Sequence, residues 1–138
     1  MDKKLNTIML VDDDSNTNLY NEYIINRLGI FEEIKIFQNG KHALEFLATK
    51  DEKGKFPQPE IIFLDINMPI MNGWEFLEEY KELTKRQQAD ILIAMLTSSM
   101  NTEDSEKALS SGVVKEFIHK PLIEDRIKEI IDKYFLKD

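Results

Sequence analysis

No cysteine occurs in the 138 residues. This excludes disulfides, thiolate metal sites and a cysteine nucleophile, and leaves the compartment open. Long hydrophobic runs are missing too: the longest, Ile91 to Leu96, falls far short of the roughly 20 residues that a membrane-spanning helix needs. No membrane association is expected. The N-terminus offers no signal peptide, because Lys3 and Lys4 are followed only by Ile8 to Val11 before three aspartates, and a cytoplasmic location is the expectation. Basic residues are the minority: 18 Lys and Arg face 26 Asp and Glu, giving a net charge of −8. A surface of that sign repels phosphate backbones, so nucleic acid is not an expected direct partner. The two histidines, His42 and His119, lack metal-ligand spacing and read as ordinary residues. Internal repeats and low-complexity tracts are also absent. What remains, 42% apolar and 32% charged, is an ordinary globule with room for one core, read as a single domain over residues 1–138.

Apolar runs alternate with segments of helical period, the pattern of βαβ units and a parallel sheet. Strands are predicted near Asn6 to Val11, Glu33 to Phe37, Glu60 to Leu64, Asp90 to Leu96 and Val114 to His119. Helices are predicted near Ser15 to Leu28, Lys41 to Thr49, Gly73 to Leu83, Thr102 to Ser110 and Ile123 to Phe135. The last is the clearest, with Ile123, Ile127, Ile130, Ile131, Tyr134 and Phe135 on one face. Lys50 to Gln58 and Thr84 to Ala89 read as solvated linkers. The first, third and fourth strands are continuously apolar and belong in the centre, whereas Ile34-Lys35-Ile36-Phe37 and Lys115-Glu116-Phe117-Ile118 carry charges and belong at the edges. With right-handed crossovers this predicts an α/β fold: a flavodoxin-like, doubly wound, five-stranded parallel sheet in the order 2-1-3-4-5 with five helices.

Ligands of such sheets bind at the carboxyl ends of the strands. There the first strand delivers Asp12-Asp13-Asp14, the third Asp65, the fourth Thr97-Ser98-Ser99, and the fifth Lys120-Pro121. A single strand-end aspartate is more often a turn or helix cap. A convergent set is not explained that way. Carboxylates held together repel and raise one another's pKa unless a hard cation sits between them. Mg²⁺ suits one or two carboxylates plus water, and leaves room for phosphate oxygens. Lys120 adds a mobile positive charge, Thr97 a hydroxyl that can bond a phosphoryl oxygen, and Asp65 a carboxylate able to attack phosphorus and become an acyl phosphate.

These residues resemble the receiver domains of two-component response regulators, particularly the single-domain, chemotaxis-type ones. The resemblance runs from Ile8 to about Tyr134. It rests on the acidic pair after the first strand, Asp65 followed by Met68-Pro69 and Gly73, Thr97-Ser98, Phe117 and Lys120-Pro121. It implies that Asp65 is the phosphoacceptor, that Asp12 and Asp13 bind Mg²⁺ with Asp65 and the backbone carbonyl of Asn67, and that Thr97 and Phe117 form a switch pair. Lys120 would contact the phosphoryl oxygens, with the Lys120-Pro121 bond cis. Ser99 and Asn67 would border the path of a water attacking the acyl phosphate. The phosphate donor would be a histidine kinase or a histidine phosphotransfer protein. With no output domain after the fifth helix, the signal would pass to a downstream protein by contact through the fourth helix, fifth strand and fifth helix, or onward along a phosphorelay.

Three positions depart from the commonest pattern or blur it. Three consecutive aspartates leave the helix N-cap between Asp14 and Ser15, Asn72 replaces an aspartate before Gly73, and Ser98 replaces a more usual alanine. Rival readings fit less well. Haloacid-dehalogenase-type phosphatases also use a strand-end Asp with Mg²⁺, but want a second Asp where this chain has Asn67. A phosphate-independent adaptor would not need the complete site, and a flavin-binding relative would need a Ser/Thr/Gly-rich loop after the first strand. Alone, Phe117, Trp74 and the methionines would read as packing.

Overall fold

Continuously apolar runs occupy the centre of a five-stranded parallel sheet ordered β2-β1-β3-β4-β5, as their composition predicts. The computed structural model describes residues 5–90, 92–98 and 101–135. Its elements are β1 (Leu5–Val11), α1 (Ser15–Leu28), β2 (Phe31–Phe37), α2 (Gly40–Leu47), β3 (Ile61–Asp65), α3 (Gly73–Tyr80), β4 (Leu92–Thr97), α4 (Thr102–Ser110), β5 (Val114–His119) and α5 (Glu124–Tyr134), with one 3₁₀ turn at Lys85–Gln87. Among the described residues no helix is long and apolar enough to cross a membrane.

Side chains alternate across each central strand, so one sheet serves two cores. Met9, Val11, Ile62, Leu64, Ile93 and Met95 pack against Ala43 and Leu47 of α2, Phe76 and Leu77 of α3, and Ala108 of α4. Ile8, Leu10, Ile61, Phe63, Ala94 and Leu96 face Ile24 and Ile25 of α1 and Ile127, Ile130 and Ile131 of α5. β5 changes face part-way along. Val114 pairs with Ile93 but Glu116 pairs with Ala94, so Lys115 is an extra, bulged residue. The bulge turns Glu116 toward α5, where its buried carboxylate accepts from Tyr134 Oη (2.6 Å), Lys133 Nζ (2.9 Å) and Arg126 Nη2 (3.3 Å).

Several element ends differ from the sequence reading. β2 starts at Phe31 rather than Glu33, because Gly29 ends α1 in the left-handed region (φ 64) and Leu5 then pairs with Phe31 despite the charged residues after it. α2 and α3 stop at Leu47 and Tyr80 rather than Thr49 and Leu83. Beyond them Thr49, Glu82 and Leu83 donate their N–H groups to the carbonyls three residues back, which tightens the final turn. β4 begins at Leu92; Asp90 precedes it with its N–H on Pro59 O (2.7 Å), and Ile91 lies outside the described residues. Ile123 and Phe135 are the caps of α5 rather than members of it.

Candidate functional site

Asp12 leaves the end of β1 with every polar atom engaged. Its N–H donates to Phe37 O (3.0 Å), its carbonyl accepts from the buried Asn18 Nδ2 of α1 (2.8 Å), and Oδ1 accepts from Asp14 N (2.9 Å). Asp14, not Ser15, caps α1, accepting from Asn16 N (3.0 Å) and Thr17 Oγ1 (2.9 Å). The third aspartate is thereby occupied, and Asp12 and Asp13 remain as the pair.

Asp65 is the last residue of β3 and is buried. Its surroundings depend on the absence of a side chain at Gly73. A Cβ there would stand 2.8 Å from Asp65 O and 2.9 Å from Ile66 Cα, closer than real Cβ contacts come. The Gly73 N–H donates to Ile66 O (2.7 Å), so α3 starts directly against the strand end. Asn72 caps that helix in a reciprocal box with Glu75, each accepting from the other's N–H at 2.9 Å. An asparagine performs this task as well as an aspartate does.

Asp12, Asp13 and Asp65 each offer a carboxylate oxygen, and the three oxygens lie within 4.8 Å of one another. Lys120 Nζ bridges two of them, 2.8 Å from Asp12 Oδ2 and 2.9 Å from Asp65 Oδ1. Burial pushes the Asp65 carboxyl above its ordinary pKa, and the charges of Asp12 and Asp13 add to this, while Lys120 opposes it. For Lys120 burial acts downward, but its hydrogen bonds and attraction to Asp12 and Asp65 outweigh that and hold the ammonium above its usual pKa. Three carboxylates against one ammonium leave two negative charges uncompensated in a partly desolvated site. Asp12 and Asp65 are buried and Asp13 is exposed, so the cluster opens to solvent on one side. That donor set fits a hard divalent cation that keeps part of its water shell.

The remaining predicted residues lie around this rim. Thr97 ends β4, is buried, and its carbonyl accepts from Lys120 N (2.7 Å); register places it one residue past Leu96, the partner of Asp65. Phe117 pairs with Met95 and is half-buried, so it shares a sheet face with Thr97. The Lys120-Pro121 bond is cis. Asn67 and Ser98 are exposed. Ser99 and Met100 lie outside the described residues. His42 and His119 are exposed and belong to no acidic cluster among the described residues. Two supports were not singled out from the sequence, Asn18 beneath Asp12 and Glu116 beneath α5. A buried asparagine on a helix face carries no sequence signal of its own, and Glu116 looks like an edge charge until the bulge is seen.

A doubly wound parallel sheet with an acid-lined, lysine-bridged pocket at its carboxyl edge is the class these observations define. The family model of the response regulator receiver domain matches residues 8–132, and the chain belongs to that family. It is 32% identical to the chemotaxis protein CheY of Bacillus subtilis over 91% of this chain and 94% of that one. A crystal structure of a two-component response regulator from Cytophaga hutchinsonii is similar at a TM-score of 0.81 and 31% identity, covering 95% of this chain and 97% of that one. The manganese-bound form of the response regulator Rcp1 is similar at a TM-score of 0.72 and 27% identity, covering 95% and 94%. Other curated relatives are longer: the chain spans 7% of a hybrid histidine kinase of Dictyostelium discoideum and 36% of a protein-glutamate methylesterase of Desulfotalea psychrophila. Phosphorylation and Mg²⁺ binding are general properties of receiver domains, which work with histidine kinases in phosphorelays.

Proposed function

We propose that Asp65 accepts a phosphoryl group from a phosphohistidine of a kinase or phosphotransfer protein, and that the phosphorylated domain signals by protein contact or passes the group along a relay. The observation that carries this is the convergence of Lys120 on Asp12 and Asp65, 2.8 and 2.9 Å away. Asp65 Oδ attacks phosphorus in line, the P–N bond breaks, and the departing imidazole takes up a proton. Asp12 and Asp13, with Asp65 and the Asn67 carbonyl, hold Mg²⁺, which when bound screens the phosphoryl oxygens from the carboxylates. Metal binding by the related Rcp1 supports this assignment. Lys120 follows the charge from the carboxylates to the phosphoryl oxygens. Thr97 contributes its hydroxyl, and Phe117, on the same sheet face, responds to that movement.

We read the chain as one receiver domain working in the cytoplasm, a reading supported by the match to CheY over 91% of this chain and 94% of that one. The output face in this reading is α4, β5 and α5. Only Ala108 of α4 is buried, and Leu109 is half exposed, so the helix is cheaply displaced. Asn67 stands where a phosphatase needs its general acid, which favours a switch over a turnover enzyme. The test is incubation with a histidine-phosphorylated kinase fragment and, separately, with a phosphate ester. One phosphoryl group per chain from the first and no turnover of the second is expected. Multiple turnover of the ester would replace this reading with the phosphatase one.

A further inference from the structure

At the sheet edge opposite the acidic pocket, the linker before β3 and the turn before β4 enclose a cavity of about 280 Å³ lined by Lys50, Gly54, Lys55, Phe56, Gln58 and Arg86. We propose that this cavity is a binding site for a compact phosphate-bearing anion. Three of its six lining residues are cationic and none is acidic, in a chain whose net charge is −8. Among the described residues, Lys50, Lys55 and Arg86 form no ion pair with any carboxylate. Gathering three like charges around one concavity raises the free energy of the empty site, and an anion within it relieves that repulsion.

The walls are fixed before any ligand arrives. Asp51 is used by the loop itself: its Oδ1 accepts from Lys53 N (2.8 Å) and Lys55 N (3.0 Å), and its carboxylate also feels the charges of Lys53 and Lys55 without an ion pair to either. The turn is closed by Asp51 N on Lys55 O (2.7 Å) and Gly54 N on Asp51 O (3.0 Å), with Gly54 at φ 78 where a side chain is disfavoured. Gln58 sits in the left-handed region at φ 41, and its Nε2 donates to Lys85 O (3.1 Å), tying this loop to the turn that carries Arg86. Lys50 Nζ stands 5.5 Å from the centroid of the half-buried Phe56 ring, which orients the ammonium. The guanidinium of Arg86 and the ammonium of Lys55 are the group types that take phosphate oxygens, one by paired N–H donors and the other as a point charge. The concavity favours a small anion over a protein surface, and its size is at the lower end of ligand pockets.

The test titrates inorganic pyrophosphate into the protein at constant ionic strength with a chelator present, following backbone amide resonances. Metal-free buffer keeps the anion away from the acidic pocket. Saturable shifts centred on Gly54, Phe56 and Gln58 are expected, weakened about tenfold or more in the Lys55→Gln/Arg86→Gln double variant, which still accepts phosphate on Asp65. Shifts that rise linearly without saturation, equal affinity in the double variant, or shifts centred on Asp12 and Asp65 would each overturn the proposal.

Discussion

Lys120 Nζ stands 2.9 Å from Asp65 Oδ1, and the same nitrogen holds Asp12 Oδ2 at 2.8 Å. The ammonium therefore occupies part of the charge that a divalent cation would claim. Lys120→Met is expected to bind Mg²⁺ severalfold more tightly while accepting phosphate more slowly, since removing the competing cation also removes the partner for the phosphoryl oxygens. Asp13→Ala should weaken Mg²⁺ binding. Calorimetric titration checks both, and unchanged affinity in Asp12→Ala and Asp13→Ala alike would remove the acidic pair from the metal site.

Glu116 gives a pH-dependent anchor for α5. Burial acts to raise its pKa, but the hydrogen bonds from Tyr134 and Lys133 and the charges of Lys133 and Arg126 outweigh burial and hold it below 4.5. A carboxylate depressed in the fold contributes stability above its unfolded pKa and loses it as pH falls through the lower, folded value. Glu116→Gln should cost about 1–3 kcal/mol at neutral pH. The gap between the melting temperatures of the two proteins should close as pH drops below 4.5. A gap constant across that range would mean that the carboxylate charge is not what holds α5.

Gly73→Ala places a methyl group 2.8 Å from Asp65 O and 2.9 Å from Ile66 Cα. The backbone cannot yield there without moving the strand end. A loss of about 1–3 kcal/mol is expected, accompanied by slower phosphorylation, because the displaced atoms belong to Asp65 and its neighbour. Chemical denaturation and phosphorylation kinetics measured on one preparation test the two effects together.

α4 is held to the body by Ala108 and by Lys107, whose Nζ lies 4.3 Å from the centroid of the Trp74 ring on α3. Lys107→Ala should lower the protection of α4 amides in hydrogen exchange, by about 0.5–1 kcal/mol, and leave β1 and β3 unchanged. Equal protection in both proteins would show that the Lys107 contact does not help to hold the helix.

The strand order and the convergence of Asp12, Asp65, Thr97 and Lys120 were legible because the central strands are apolar without interruption while β2 and β5 carry charges. Parallel strands then bring their carboxyl ends to one edge whatever the loops do. The position of Glu116 was not legible: Lys115 and Glu116 stand side by side and break the alternation, but two adjacent charges on an edge strand read equally as solvated, and only the pairing shows that Lys115 bulges and turns Glu116 onto the other face. The ends of α2 and α3 were overrun because residues such as Lys81 and Glu82 suit a helix, and only the bonding of the last turn shows where it stops. The need for glycine at position 73 comes from a close approach between α3 and the end of β3, which depends on packing rather than on local pattern.

The central claim is that Asp65 is the phosphoacceptor, and the most direct measurement is mass-spectrometric location of the acyl phosphate after incubation with a small phosphodonor and Mg²⁺. Wild-type protein is expected to carry one phosphoryl group on the peptide containing Asp65. Asp65→Asn should carry none while melting no lower than wild type in metal-free buffer, since it removes one carboxylate from a crowded cluster. Stable labelling of Asp65→Asn at Asp12, Asp13 or any other aspartate to the wild-type level would contradict the account.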